Sequence, residues 1–286
     1  MKVVVYGSVN WDEIYQLPRY PNEHEKVRGT GFRGHLGGSA ANTATWLAGY
    51  VADVAFVGAV GNDAEGGRCL DALERAGVYI ASVEICHAVP TARASSWVAG
   101  NDKRISIFRD PRLWRDHATP LALEASSAAD HIHLASHVDK AGLECLTAAI
   151  EGGASVSIEL SGKPHDDVRP LADIVFLNAE ELVEVFGLNV ADLTTDQVEQ
   201  IAPKEGSLLV VTAGARAIHC ASRERVEVFS VQPIDTVVDR TGGGDSFDAG
   251  FLAAWLEGAS HEDAVAKGQA TSRQALNQFG ASRNPG

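Results

Sequence analysis

DRTGGGDSFDAGF, residues 239–251, places three consecutive glycines between a threonine and an aspartate, directly ahead of a helical pattern. From Ser246 onward Phe247, Gly250, Phe251, Ala254 and Trp255 recur at three- and four-residue spacing, the period of an amphipathic helix. Glycine loses more backbone freedom on folding than other residues, so Gly242, Gly243 and Gly244 are expected where the chain turns sharply or a ligand approaches the main chain. The amides at a helix N-terminus are donors without helical partners and the helix dipole is positive there, which makes an anion site. An ordinary glycine-rich turn accounts for the glycines alone. It does not account for Asp245, because a carboxylate at the mouth of an anion site repels a phosphate unless it acts on that phosphate's reaction partner.

Outward from this stretch, β-rich runs alternate with helical ones. VVVYGSV (3–9) precedes a helix over Gly38 to Ala48, VADVAFVGAV (51–60) precedes one over Glu65 to Ala76, and HIHLAS (131–136) precedes one from about Asp139. ASVSIEL (154–160) runs into a polar loop, DIVFL (173–177) into NAEELVEVFG, and SLLVVTAG (207–214) leads to AIHCAS and RVEVFSV. The alternation predicts an α/β fold: a three-layer, mostly parallel sheet with helices on both faces and ligands at the carboxyl ends of the strands. It breaks at about 12–35 and 91–110, where DEIYQL, KVRGTGF, ARASSWVA and RISIFR carry no helix between them. These segments are expected to pair into a small β-sheet lid over the strand ends. With no repeat, low-complexity segment or linker, residues 1–286 read as a single domain.

The 38 acidic residues outnumber the 24 basic ones, and the net charge of −14 argues against general nucleic-acid binding. Cys69, Cys86, Cys145 and Cys220 are scattered without a CxxC pair, which suggests neither a zinc site nor a disulfide framework and fits a reducing cytoplasm. The chain opens on a strand-like run and not a signal peptide, and no apolar stretch reaches membrane-spanning length. A soluble cytoplasmic protein with no nucleic-acid or membrane partner is expected.

Four further stretches carry candidate chemistry. GHLGGSAANTATWLA (34–48) is a second glycine-rich approach to a helix and puts Asn42 about one turn beyond Gly37 and Gly38. GSVNWDE places Asn10 and Asp12 just past the first strand, where two short polar side chains suit the vicinal hydroxyls of a small polyol; turn formation and capping explain them equally well. VFLNAEE places Asn178 at a strand end and Glu181 in the first turn of the next helix, an ordinary N-cap pattern that also suits a hydrated magnesium ion. VVTAGA offers Thr212 and Gly214 at another strand end, suited to close passage of a nucleotide phosphate.

GGSAAN, GNDAEG (61–66), NAEE, VVTAGA and DRTGGGDSFDAGF, in that order, make the chain similar to the ribokinase family, also called the PfkB carbohydrate kinases, from residue 1 to about 281. The resemblance implies a ribokinase-like fold with a β lid, and transfer of the ATP γ-phosphate to a sugar hydroxymethyl group with Mg²⁺. It also implies roles. Asp245 is the base, and the amides of Gly242, Gly243 and Gly244 bind the transferring phosphoryl group. Asn10, Asp12, Gly37, Gly38, Asn42 and Arg104 contact the substrate, while Asn178, Thr212, Gly214, Thr241, Asn277 and Gly280 contact ATP. Glu181 holds the metal through water, and a monovalent cation such as K⁺, used by several members, belongs near Asp239 and the 280 region.

Four positions depart from the family pattern. Arg240 stands where a small residue or proline is usual, either as an extra phosphate ligand or pointing to solvent, the latter being the expectation; Gly243 stands where alanine is commonest, Ala217 where a glycine often follows VVTAGA, and Val51 where a small residue is usual, with Gly49 two residues early. The substrate stays open. A ribose- or fructose-like sugar is the first expectation. A sugar phosphate would suit the arginines of RISIFRDPRLWR (Arg104, Arg109, Arg112, Arg115) together with Arg28, Arg33 and Arg93, although GGSAAN lacks the lysine that phosphosugar members carry after the paired glycines. Trp97 and Phe108 would suit stacking on a nucleobase, hence a nucleoside. A catalytically silent sensor of the same fold is the alternative of another class, and the retained Asp245 counts against it. His131, His133 and His137 lie close together but lack acidic or cysteine partners at ligand spacing, so they read as a strand with polar edges. A lid this small buries one face against the main domain and leaves its edges unpaired. A homodimer through the lid is therefore expected, with Ile105 and Ile107 on the contact face and Arg104 and Phe108 toward the cleft.

Overall fold

Alternate residues of the opening strand, Lys2–Gly7 (β1), enter different cores: Val3 and Val5 pack on one side, Val4 and Tyr6 on the other. A strand buried on both faces belongs inside a covered sheet. The computed structural model describes residues 1–99, 103–109, 115–135, 138–234 and 237–283; Arg112, His137 and the side chain of Arg104 lie outside the described residues. After β1 come β2 (Asn10–Leu17), β3 (Gly31–Gly37), α1 (Ser39–Leu47), β4 (Asp53–Val57), β5 (Ala59–Gly61), α2 (Ala64–Arg75), β6 (Glu84–Cys86), β7 (Arg93–Ala99) and β8 (Lys103–Arg109). Then follow α3 (Pro120–Ser127), β9 (His131–Ala135), α4 (Lys140–Glu151), β10 (Ser155–Glu159), β11 (Ile174–Asn178), α5 (Ala179–Phe186) and α6 (Thr195–Ile201). The chain continues through β12 (Leu208–Thr212), β13 (Ala217–Ala221), β14 (Val226–Ser230), α7 (Gly243–Trp255) and α8 (His261–Leu276).

The main sheet runs β14-β13-β12-β11-β10-β9-β1-β4, parallel from β4 to β12 and antiparallel over β13 and β14. Helices α1, α2, α7 and α8 contribute to the core on one face, and α3 to α6 to the core on the other. These are the three layers expected from the alternation. A separate four-stranded sheet runs β3-β2-β7-β8, built from the two helix-free segments. Asn10 and Asp12 lie on its strand β2 itself, and residues 26–30 precede β3 without joining it.

Two expectations change. Helix α7 starts at Gly243 instead of Ser246, so the glycines form the cap and first turn of the helix. His131 and His133 are not on a polar edge: β9 lies between β10 and β1, and both side chains are fully buried. Their rings bond the hydroxyls of Ser155 and Ser157 at 2.7–2.8 Å, and burial pushes both imidazoles down to about 3, which keeps them neutral. Among the described residues no group of His, Cys, Asp or Glu is placed to hold a metal ion, all four cysteines are unpaired, and no helix is long and apolar enough to cross a membrane.

Candidate active site

The strands β1, β9, β10, β11 and β12 run parallel, so their carboxyl ends share one edge of the sheet. Lid strand β2 follows β1 within three residues, and the N-terminus of α7 faces the same region. Between them lies a cleft of about 780 Å³ whose walls include Asn10, Asp12, Gly38, Asn42, Phe108 and Asp245, with Gly242, Gly243 and Gly244 beside the last.

At the start of α7, Gly242 is the N-cap with φ 77°, in the left-handed region, and its carbonyl accepts the first helical bond from Ser246 N at 2.9 Å. The amides of the first turn therefore have no acceptor within the helix and point toward the cleft side. Gly242 has no room for a side chain: a Cβ would lie 2.5 Å from the Cβ of Ala281. Ala281 is itself fixed, because the indole Nε1–H of Trp46 on α1 donates to its carbonyl at 2.8 Å.

Asp245 accepts a hydrogen bond from Asn42 Nδ2 at 2.7 Å, and its backbone carbonyl accepts one from Thr43 Oγ1 at 3.3 Å. Burial raises its carboxyl to about 6; hydrogen bonds from Asn42 and Ser39 pull it down, and Glu181 adds repulsion. More carboxyls stand behind it. Burial, then the charge of Asp245, raises Glu159 at the end of β10 to about 7, while the Ser161 hydroxyl donates to it. Asp248, one turn further along α7, is 4 % exposed, and burial followed by repulsion from Glu159 and Asp245 holds its carboxyl well above the usual range. The charge of Asp245 thus discourages ionisation of Glu159 and Asp248, while its own carboxyl is raised chiefly by burial.

The opposing wall is the Asn10–Asp12 pair, in which Asn10 Nδ2 donates to Asp12 Oδ1. Gly37 faces Asn10 across the β2–β3 ladder, and a Cβ there would lie 2.4 Å from Asp12 Oδ2. Its part is to let that pair lie against the backbone. Asn178 and Thr212 are neighbours across β11 and β12, and Gly214 turns the chain beyond with φ 60°. Asn178 and Glu181 form a capping box, with Asn178 N donating to Glu181 Oε2 at 2.9 Å, so the plain capping role is realised in both. Burial raises the Glu181 carboxyl. Asp239 accepts from Thr241 N and Oγ1 at 3.0 and 2.7 Å and from Gly280 N at 3.3 Å, joining the approach to α7 to the loop after α8, where Asn277 is the C-cap.

Of the arginines expected to suit an anion, Arg33, Arg93, Arg109 and Arg115 have partners within the protein, while Arg112 and the side chain of Arg104 lie outside the described residues. Arg93 pairs with Glu13 and Glu65, Arg109 donates to the Thr91 carbonyl at 2.9 Å, and Arg33 stacks 4.0 Å from the Phe279 ring centre. Arg115 is buried against the Tyr6 hydroxyl at 2.5 Å and Asp139 at 3.5 Å. Arg93, Arg109 and Arg115 are thus taken up by acids or carbonyls and Arg33 by an aromatic face. Trp97 also moves away from the ligand: Ser96 lines the cleft, so strand alternation sends Trp97 to the opposite face, and Phe108 alone of that aromatic pair faces the cleft. Arg240 is exposed as expected, yet it lines the cleft. Ser8, Ser39, Ser96, Ser106 and Ser161 complete the walls. Nothing in the sequence singled them out, because isolated serines carry no spacing signal.

The sequence matches the pfkB family carbohydrate kinase profile over residues 1–285. It is similar to an ATP-dependent ribose-1-phosphate kinase of Halopiger xanaduensis, 29% identical over 100% of this chain and 95% of the relative, and to a ribokinase of Haemophilus influenzae, 26% identical over 98% and 93%. The fold is similar to that of Arabidopsis thaliana ribokinase solved with ribose and ATP, with a TM-score of 0.86 and 25% identity over 98% of this chain and 94% of that one. The chain belongs to the pfkB family of carbohydrate kinases, phosphotransferases with an alcohol acceptor.

Proposed function

We propose that this pfkB-family kinase transfers the γ-phosphoryl group of ATP to a hydroxymethyl oxygen of a ribose-like sugar, with Asp245 as the base. The observation that carries the reading is a carboxylate raised to about 6 at the amide-lined start of α7, in one cleft with the Asn10–Asp12 pair. Phosphoryl transfer spreads charge over the equatorial oxygens, and fixed amides with the helix dipole behind them stabilise that charge without reorganising. Asn10, Asp12 and Asn42 would hold the sugar hydroxyls while Asp245 takes the proton of the attacking one. Asn178, Thr212, Gly214, Thr241, Asn277 and Gly280 would line the path of the nucleotide. The ribose- and ATP-bound Arabidopsis relative supports this choice of ligands, and the Halopiger relative supports a phosphorylated pentose as second reading. Turnover of ATP over ribose, fructose, nucleosides and pentose phosphates tests the reading: ADP release that depends on a sugar is expected, and ATP binding without turnover on any of them would favour the silent sensor.

Mg²⁺, when bound, neutralises charge on the donor phosphates. It dehydrates reluctantly and is usually held by few carboxylates plus substrate phosphates. Glu181 would hold it through water with the oxygen that the capping box leaves over. Glu181→Gln is then expected to raise the half-saturating magnesium concentration several-fold, about 3 to 10, with a smaller change in the KM for the sugar. An unchanged magnesium titration would leave Glu181 with capping alone. A monovalent cation such as K⁺ belongs beside Asp239, whose carboxylate already ties Thr241 to Gly280.

The lid face turned away from the cleft supports a homodimer. Phe32, Tyr15, Trp97 and Ile105 face one another in a row across the four strands, and Tyr15 and Phe32 stack with ring centres 5.0 Å apart. Phe32, Ile105 and Ile107 are 57%, 46% and 54% exposed, a band that a second copy of the lid would cover. A solution mass of two chains is expected, falling to one in Ile107→Glu; a monomeric wild type would remove the proposal. The unpaired thiols suit the reducing cytoplasm as the place of action.

A further inference from the structure

We propose that Arg240 is a specificity residue that grips a phosphate group on the acceptor, so that the preferred substrate is a pentose phosphate and not a free sugar. The inference rests on the kinase reading above and, of its two acceptors, takes the second, the phosphorylated pentose, over the free sugar. Among the described residues lining the cleft, Arg240 is the one basic side chain, set against the carboxylates of Asp12 and Asp245. It makes no ion pair or hydrogen bond within the described residues, whereas Arg93, Arg109 and Arg115 are all taken up by acids or carbonyls. A cation left without an acidic partner in a chain of 38 acidic and 24 basic residues is available to an incoming anion.

The surroundings require such a cation for this substrate. The carboxylates of Asp12 and Asp245 in the cleft wall repel a dianionic ester. A neutral sugar would enter without compensation. A guanidinium stays charged throughout the working pH range and offers a planar fork of donors that matches two phosphate oxygens. The phosphate it meets is assigned to the acceptor because Arg240 shares its cleft with Asn10, Asp12, Ser96 and Phe108, whereas of the proposed nucleotide path only Thr241 lines it and Asn178, Thr212 and Gly214 do not. The transferring phosphoryl group already has the amides of the α7 N-terminus.

Arg240→Gln and Arg240→Lys, assayed with ATP and each of ribose, ribose 1-phosphate and ribose 5-phosphate, test the assignment. The expected result is a loss of about 10- to 100-fold in kcat/KM for the preferred pentose phosphate in Arg240→Gln, the size of a charged hydrogen-bond pair. It should fall mainly on KM, with partial rescue by lysine. The KM for ATP and the kcat/KM for ribose should move by less than about 3-fold. An equal loss for ribose and its phosphates, or a matching rise in the KM for ATP, would assign the phosphate to the donor and overturn the proposal. Calorimetric binding of the same pentose phosphates without ATP separates this inference from the kinase reading. Weaker binding in Arg240→Gln would support it even if no acceptor were turned over, and unchanged binding would overturn it even if the protein were an active kinase.

Discussion

Asp245→Asn is expected to lower kcat by about 10²- to 10⁴-fold, the usual contribution of a general base, while ATP binding stays within about 2-fold. The side chain keeps its shape, and Asn42 Nδ2, now 2.7 Å from Asp245 Oδ2, can still donate to an amide oxygen in its place. What is lost is the acceptor for the hydroxyl proton. Stability should move the other way. Because the fold raises the carboxyl from 3.8 to about 6, its stabilising contribution is complete at pH below 3.8 and is lost as pH rises through about 6. Asparagine suffers no such loss, so the variant should melt no lower than wild type at pH 8. A variant that is inactive and also less stable at pH 8 would point to damage at the helix start. One that keeps more than about a tenth of kcat would remove Asp245 as the base.

Gly242→Ala has the second largest expected effect, and Gly243→Ala is its control. At Gly242 the added methyl meets two obstacles: a φ of 77° that L residues rarely adopt, and the Cβ and Cα of Ala281 at 2.5 and 2.7 Å. Ala281 cannot retreat without breaking the bond from Trp46. The expected cost is about 2–4 kcal/mol of stability. Displacing even one anion-site amide should lower kcat by about 10²-fold or more. At Gly243 the φ is ordinary, and a methyl would come to 3.2 Å from the flexible end of Leu276 and make an ordinary contact with Ser272 Oγ at 3.6 Å. Gly243→Ala should therefore stay within about 1 kcal/mol and 3-fold of wild type, as expected at a position where alanine is commonest in the family. Thermal melting and steady-state rates on the two variants check both statements, and equal effects would mean that the cap geometry of α7 does not matter.

What the sequence disclosed follows from which forces act locally. The glycines before Asp245 and the capping pair Asn178–Glu181 were legible because helix ends impose local chemistry that shows as spacing. The strands of the main sheet were legible as apolar runs, and the lid as two segments where helices were missing. Helix α8 was harder to see: its buried face is Ala264, Val265, Gly268, Thr271 and Ala275, small side chains that give a faint apolar period. His131 and His133 were misplaced because period-two alternation is the same on an edge strand and in the centre of a sheet; only pairing with both β10 and β1 distinguishes them. Arg93 and Arg115 were misread for a related reason. Composition shows a cluster of cations, but whether a cation is free depends on acids such as Glu13 and Asp139, which are distant in sequence.

The central claim, an ionised Asp245 that takes the proton of a sugar hydroxyl, is tested most directly by the pH dependence of kcat/KM for the preferred acceptor, with ATP and magnesium saturating. The carboxyl is raised to about 6 by burial, and Glu159 behind it to about 7. The rate should therefore be flat near pH 8 and fall tenfold per unit below an inflection close to 6. A profile that stays flat down to pH 5, in an enzyme still folded at that pH, would contradict the account.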